Sequence, residues 1–400
     1  MNILIMDMGS KMNRFGGEAR VAAQLHSKLG AFFKTFYLGY ETQYLKCEGN
    51  CYIIKRERVK LSGAMRTGLS ENWIMRAGYY FLAGRMINIG ITKKEIIEVF
   101  SHAKPDVAIA NSLADFPVLR FASKYFKFKK IYIDHVNLSG DVFKGMLSKN
   151  SLPFSLGTGM LPIGIEPMKR KFFSFFDANV ALNMEQEEKM KRYTKNVYYI
   201  PNGIAKAKKE KSSAKRFADR YGLAGKFVVL YVGRMFERQK NVSTLIKAFK
   251  LVDENEMMLL LIGEGPSLES YIKLAKGDPR IVFTGSLSDN ELEAAYSISS
   301  LYVLPSFWEG FSITMLESAA HSIPMLLSKK AYPKEFEKLG IDIVRFDPTN
   351  ERELATKIKS MKEDKIMYQR AKEASRKIAD AFSEEKMIKR YKELVEALAK

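Results

Sequence analysis

Cysteine is almost missing from this chain: Cys47 and Cys51 are the only two in 400 residues. With no histidine close by they cannot make a zinc site, and a disulfide-stapled scaffold is excluded; two free thiols are expected. Proline is scarce as well, at 12 residues, and apolar residues are plentiful, which rules out disordered and collagen-like classes. Long hydrophobic runs are lacking too. The best uncharged stretch, residues 150–165, is broken by Pro153 and Pro162, whereas a membrane-crossing helix needs about 20 apolar residues. The opening MNILIMDMGS has no basic leader before its apolar run, so no signal peptide is expected.

What is present is the composition of a globular protein, 46% hydrophobic and 28% charged. Such a length exceeds the usual capacity of one core, so two domains of about 200 residues each are expected. Lys and Arg outnumber Asp and Glu by 65 to 45, a net +20, with +13 on residues 1–200 and +7 on residues 201–400. Such an excess suits polyanionic partners. No RNP, KH or zinc-finger pattern accompanies it, so no specific nucleic acid is expected. An anionic membrane surface and a simply solvated basic face both remain open.

Short apolar runs alternate with amphipathic helical patterns, twice over. The first series of strand-like runs is Ile3–Met6, Cys51–Ile54, Val107–Ala110, Ile131–Ile133, Val180–Leu182 and Val197–Ile200. The second is Phe227–Val232, Met258–Ile262, Ile281–Thr284, Leu301–Leu304 and Pro324–Leu327. Helical patterns fall between them, among them Gly17–Leu29, Glu71–Ile89, Ala114–Tyr125, Val242–Leu251, Leu268–Ala275, Asn290–Ser297 and Ile313–Ala320. Continuous apolar strands alternating with helices imply parallel sheets covered on both faces, hence an α/β protein of two doubly wound domains. The turn Ile200-Pro-Asn-Gly203 marks the boundary, giving domains at 1–203 and 204–382. Ser383 suits the cap of a last helix, 383–400.

Ligands of doubly wound sheets sit at the carboxyl ends of the strands, which confines the search to a few loops. Gly16 and Gly17 join the first strand to the first helix, where glycine lets a ligand approach the amides of a helix N-terminus. The loop is not a GxGxxG fingerprint, so no nicotinamide cofactor is indicated. His135 stands at the mouth of the strand Ile131–Ile133, while His26 and His102 fall on helical surfaces and His321 at a helix end. Arg234 and Lys240 lie in the loop leaving Phe227–Val232. An Arg fork, a mobile Lys charge and helix amides suit a diphosphate, although Arg238 makes a solvated basic loop an equal explanation.

The most informative segment is Leu304-Pro-Ser-Phe-Trp-Glu309-Gly-Phe-Ser-Ile-Thr-Met-Leu-Glu317. Gly310 breaks the chain after Glu309, a helix is expected from about Phe311, and Glu317 follows two turns into it. The amides of Phe311, Ser312 and Ile313 favour an anion. Glu309 and Glu317 beside them suit hydroxyls, each accepting charge-assisted bonds from a sugar or ribose diol.

Taken together, IPNGI, VGRMFERQK, LLIGEGPSLESYI, FTGSLSDNELEAAYSISSLYVLPS and WEGFSITMLESAAHSIPM resemble the retaining GT-B glycosyltransferases of the large family-4 group. The resemblance is clearest from Tyr199 to Phe346 and includes the E-x7-E spacing of Glu309 and Glu317. It implies two Rossmann-like domains facing across a cleft, an N-terminal one for the acceptor and a C-terminal one for a nucleotide sugar, with the last helix crossing back. It also implies a hexose donor such as a UDP- or GDP-sugar, retention of anomeric configuration, and no cofactor or metal. Arg234 and Lys240 would bind the diphosphate, Glu317 the ribose, and Glu309 the transferred sugar, with Gly310 in the same loop. The Phe311, Ser312 and Ile313 amides would hold phosphates or sugar. Gly285 to Leu287 would pass beside the base, Gly16 and Gly17 would close on the diphosphate, and His135 would touch the donor sugar.

Two departures stand out. Ser312-Ile313-Thr314 replaces the family's usual GLP after EGF, and Ser322 stands where a glycine is common. Residues 137–171, rich in Phe, Leu, Gly and Pro and flanked by Lys144, Lys149, Lys169, Arg170 and Lys171, suit a lipid surface. A lipid-linked glycan or glycolipid is therefore the expected acceptor, and the cytoplasm or inner membrane face the expected location. Two alternatives stay open: a nucleotide-sugar epimerase of the same fold, and a non-catalytic membrane- or nucleic-acid-binding module.

Overall fold

The computed structural model describes residues 1–8, 17–39, 50–54, 91–135, 138, 161–207 and 210–400, with only the backbone of 161–165 and 211. Gly16, Cys47, the helical pattern at 71–89, and Lys144 and Lys149 of the basic stretch lie outside the described residues. The chain forms two compact units, Met1–Pro201 with Ile388–Lys400, and Asn202–Met387.

The first unit is built on β1 (Asn2–Asp7), β2 (Lys34–Gly39), β3 (Cys51–Ile53), β4 (Val107–Ala110), β5 (Lys129–Ile133), β6 (Ala178–Ala181) and β7 (Val197–Tyr199). They lie in the order β3-β2-β1-β4-β5-β6-β7, every neighbouring pair parallel. The runs read as continuous apolar because both faces are covered: Ile3, Leu4, Ile5 and Met6 are all fully buried. Phe116, Tyr132, Phe172 and Phe176 pack as one aromatic cluster on this sheet. Each such ring pair adds about 0.5–1.5 kcal/mol beyond its buried area.

The second unit repeats the plan with β8 (Phe227–Val232), β9 (Met257–Ile262), β10 (Ile281–Gly285), β11 (Leu301–Leu304), β12 (Met325–Ser328) and β13 (Val344–Phe346). Their order is β10-β9-β8-β11-β12-β13, again parallel throughout. The helix Val242–Lys250 buries Val242, Leu245, Ile246 and Phe249, a three-and-four spacing that lays one apolar stripe on the sheet. Burying each of these side chains stabilises the unit by about 1.5–3 kcal/mol.

Two strands fall outside the apolar runs read above. β2 has only Phe36-Tyr37-Leu38 as its apolar centre, and β13 carries Arg345 between Val344 and Phe346. Charged helices at Glu351–Glu363 and Lys365–Ala381 present thin apolar stripes such as Leu354, Ile358 and Met361, too sparse to stand out from surface segments. The helix expected from about Phe311 starts at Ile313, because the Ser312 hydroxyl caps it by accepting from the Met315 amide at 3.3 Å.

The divisions between units fall after Pro201 and after Met387, and close packing explains why Gly203 sits with the second. The Ile204 amide donates to Phe382 O at 3.0 Å and the Glu384 amide to Ile204 O at 2.9 Å. A Cβ on Gly203 would lie 2.6 Å from Ser383 O. The last helix, Glu384–Ala399, then continues into the first unit, where Arg390 covers Tyr199 and Lys392 covers Phe32. Cys51 is disulfide-bonded, which corrects the expectation of free thiols. Among the described residues no helix is long and apolar enough to cross a membrane.

Candidate active site

Each sheet reverses its winding between two strands, β1 and β4 in the first and β8 and β11 in the second. These switch points open the crevices in which doubly wound folds bind ligands. The residues read from the sequence fall around both.

At the β8/β11 crevice, Lys240 Nζ meets Glu309 Oε1 at 2.7 Å, with side-chain exposures of only 15% and 10%. The two residues come from different loops, 69 positions apart. Neighbouring residues hold them. Gln239 donates from Nε2 to Trp308 O at 3.2 Å, its carbonyl accepts from the Phe307 amide at 2.8 Å, and its Oε1 accepts from Arg234 Nη2 at 3.1 Å. Asn241 has a left-handed backbone, φ +50. Its buried amide donates to Pro305 O at 3.2 Å and Pro348 O at 2.7 Å and accepts from the Thr244 hydroxyl at 2.9 Å. Asn tolerates that conformation better than other residues bearing a side chain. The guanidinium of Arg234 stays exposed and rests on the Phe236 ring, with a free face for an anion.

Glycines let the neighbouring loops close against this one. Gly263 has φ +133, and a Cβ there would lie 2.0 Å from Gly233 O; Gly265 has φ +155, and a Cβ would lie 2.4 Å from Met235 O. Backbone bonds run from the Met235 amide to Glu264 O at 2.8 Å and from the Gly263 amide to Gly285 O at 2.9 Å. Gly285 ends β10 at φ +70, and Leu287 just beyond it is buried.

Beyond Glu309 and Gly310, the amides of Phe311, Ser312, Ile313 and Thr314 make no hydrogen bond among the described residues. They stand at the positive end of the helix Ile313–Ala320, an arrangement that attracts negative charge. Asn202 donates from Nδ2 to Phe311 O at 2.8 Å and so sets the turn. Glu317 is buried and accepts from the Tyr296 hydroxyl at 2.5 Å. Sequence reasoning missed Gln239, Asn241, Asn202, Gly263 and Gly265; the Lys-Asn pair and the Gly-x-Gly after β9 are the signals that could have found them.

At the other crevice, Gly17 begins the helix Gly17–Leu29 and His135 follows β5. His135 Nε2 lies 2.9 Å from Asn111 Oδ1, and burial lowers its pKa to about 3. The same unit buries three acids, Asp7, Asp115 and Asp134. Asp115 accepts from the Met8 and Ser112 amides, each at 2.7 Å, and burial followed by the nearby Asp7 raises its pKa to about 8. Asp134 accepts from the Leu138 amide at 2.8 Å. Among the described residues no group of three or more His, Cys, Asp or Glu has the grouping of a metal site.

Residues 214–378 match the family of glycosyl transferases group 1. The matched stretch lies within the second unit. Outside it, the family match does not extend to the first unit. A relative of the family segment is the serotype-specific mannosyltransferase WbdA of Escherichia coli, 27% identical over 164 residues. That stretch is 38% of this chain and 20% of WbdA, so the chain spans about a fifth of the length of this curated relative. Solved structures match over both units. Sucrose-phosphate synthase from Thermosynechococcus elongatus gives a TM-score of 0.72 at 16% identity, covering 99% of this chain and 98% of that one. HepE of Anabaena, solved in complex with UDP and glucose, gives 0.70 at 15% identity, covering 99% and 100%. The fold is therefore GT-B, with two Rossmann-like units.

Proposed function

We propose that this chain is a retaining hexosyltransferase that moves a hexose from a UDP- or GDP-sugar to an acceptor hydroxyl, without a divalent metal or other cofactor. The observation that carries the reading is the Lys240–Glu309 pair at 2.7 Å, beside the amides of Phe311 to Thr314 at the second sheet's switch point. Departure of the nucleoside diphosphate takes the anomeric bonding pair onto phosphate oxygen and leaves the sugar ring electron-poor. Arg234 and Lys240 stabilise that oxygen's charge in place of a metal. Glu309 sits against the sugar beside the anomeric carbon and Glu317 against the ribose. Gly285 to Leu287 border the base. The departing phosphate accepts the proton of the acceptor hydroxyl, which then attacks the face just vacated.

The mannosyltransferase relative supports a hexose, and the neighbour holding UDP and glucose supports a uridine donor. The second unit takes the nucleotide sugar and the first the acceptor. A net charge of +20 favours an acceptor presented at an anionic membrane surface, such as a lipid-linked glycan or glycolipid on the cytoplasmic face.

Melting temperature against UDP-, GDP-, ADP- and dTDP-sugars, with and without EDTA, tests the donor. A ligand at 100 times its dissociation constant adds about 2.7 kcal/mol, and one nucleotide series should raise the melting temperature regardless of EDTA. Lys240→Ala and Glu309→Ala should each lower transfer by roughly 100- to 1,000-fold. Near-native turnover in either variant would sink the assignment.

A further inference from the structure

Asn111 is fully buried just after β4. Its backbone amide donates to Met6 O at 3.2 Å, and its Nδ2 donates to Glu18 O at 2.8 Å. A carbonyl cannot donate, so the side-chain nitrogen must face Glu18 and the side-chain oxygen must face away from it. That oxygen, Oδ1, is the atom 2.9 Å from His135 Nε2. An amide oxygen can only accept, so the proton of this bond sits on the ring.

We infer that Asn111 is a positioning residue that fixes His135 as the Nε2–H tautomer, leaving Nδ1 as a lone-pair acceptor for a ligand hydroxyl. Three elements set the state: β1 through Met6, the helix Gly17–Leu29 through Glu18, and β4 through Asn111 itself. His135 makes no other side-chain hydrogen bond among the described residues, so Nδ1 keeps its acceptor capacity. The lowered pKa of the ring agrees, since burial disfavours the imidazolium. A neutral acceptor at the mouth of a crevice orients a hydroxyl without adding charge. This use of the ring rests on the proposed transfer reaction, whose sugar substrates carry such hydroxyls. The tautomer itself rests on the hydrogen bonds alone.

The test is a long-range proton–nitrogen correlation spectrum of the full chain with 15N-labelled histidine at pH 7. The chain has four histidines, and His135→Gln identifies the signal by its loss. The expected result is a pyrrole-type Nε2 and an imine-type Nδ1 in the unligated protein. An Nδ1–H ring, or an imidazolium, overturns the inference. Asn111→Asp should keep the Nε2–H form, because an acceptor stays in place, while Asn111→Ala should give a mixture of tautomers. A ring that remains wholly Nε2–H in Asn111→Ala would remove Asn111 as the cause. In transfer assays Asn111→Ala should lower kcat by roughly tenfold to a hundredfold, with Asn111→Asp in between. A single Nε2–H tautomer in a protein that transfers nothing from any donor refutes the proposed reaction and leaves the tautomer assignment standing.

Discussion

At the β8/β11 crevice the charged groups differ in exposure: Arg234 lies open, whereas Lys240 is mostly buried against Glu309. At the β1/β4 crevice the charged groups are buried and committed. Asp7, Asp115 and Asp134 are fully buried, with Asp115 and Asp134 holding backbone amides, and His135 is neutral. The two sheets share one winding order, so the scaffold supplies two equivalent crevices and the loop residues alone decide what each receives. The second crevice favours an anion through cations and free amides. The first, with a neutral His135 and a protonated Asp115, offers hydrogen-bonding groups suited to neutral hydroxyls.

The largest effect should come from the glycine contact that shapes the second crevice. Gly263→Ala sets a methyl 2.0 Å from Gly233 O at φ +133 and should destabilise the second unit by at least about 3 kcal/mol. Chemical unfolding with nucleotide binding as a second readout checks it; an unaffected protein would mean that the loops do not depend on this approach.

Next comes the ion pair itself. Lys240→Met leaves a nearly buried Glu309 uncompensated and should cost about 2–4 kcal/mol. Adding Glu309→Gln should restore most of that stability without restoring transfer. If the double variant stays as unstable as the single one, the pair is not what strains the Lys240→Met protein.

A pH titration sharpens the contrast from the other side. His135 has its folded pKa lowered to about 3, below the ordinary 6.5, so the unfolded chain binds more protons between those values. Stability tied to this group is present above pH 6.5 and is lost as pH falls towards 3. His135→Gln should flatten that acid limb by up to about 1.4 kcal/mol per pH unit. Asp115 runs the opposite way: its folded pKa of about 8 keeps its proton in the native state, so its contribution declines as pH rises from about 4 to 8. A variant with an acid limb as steep as the parent would show that His135 is not the group being charged.

The smallest effect tests a departure from the family pattern. Ser322 has φ +59, a left-handed conformation that costs a residue with a Cβ about 1–2 kcal/mol relative to glycine. Ser322→Gly should raise stability by about 1 kcal/mol, seen as a higher melting temperature. The glycine common at this position thus suits the left-handed backbone that Ser322 adopts here.

Much of the fold was legible because parallel strands buried on both faces must read as apolar runs: Val107–Ala110 and Phe227–Val232 were found to the residue. β2, β13 and the charged helices near the C-terminus were not, since each has few apolar positions and draws its stability from neighbours distant in the chain. Lys240, Glu309 and the Phe311–Ile313 amides were visible as residue types at the mouths of strands. Their supports were not. Gln239, Asn241 and Asn202 act through hydrogen bonds to carbonyls 64 to 109 positions away, and no local pattern records such a partner.

The sequence by itself determined most of the strands, where the crevices lie, and which charges line the second one, because burial and chain turns leave periodic, local marks. Only the tertiary structure decided that Lys240 meets Glu309, that Cys51 is oxidised, and that His135 faces an amide oxygen. Those are distances between segments far apart in sequence or states set by a neighbour, and a distance across a fold exists only once the sheets have closed.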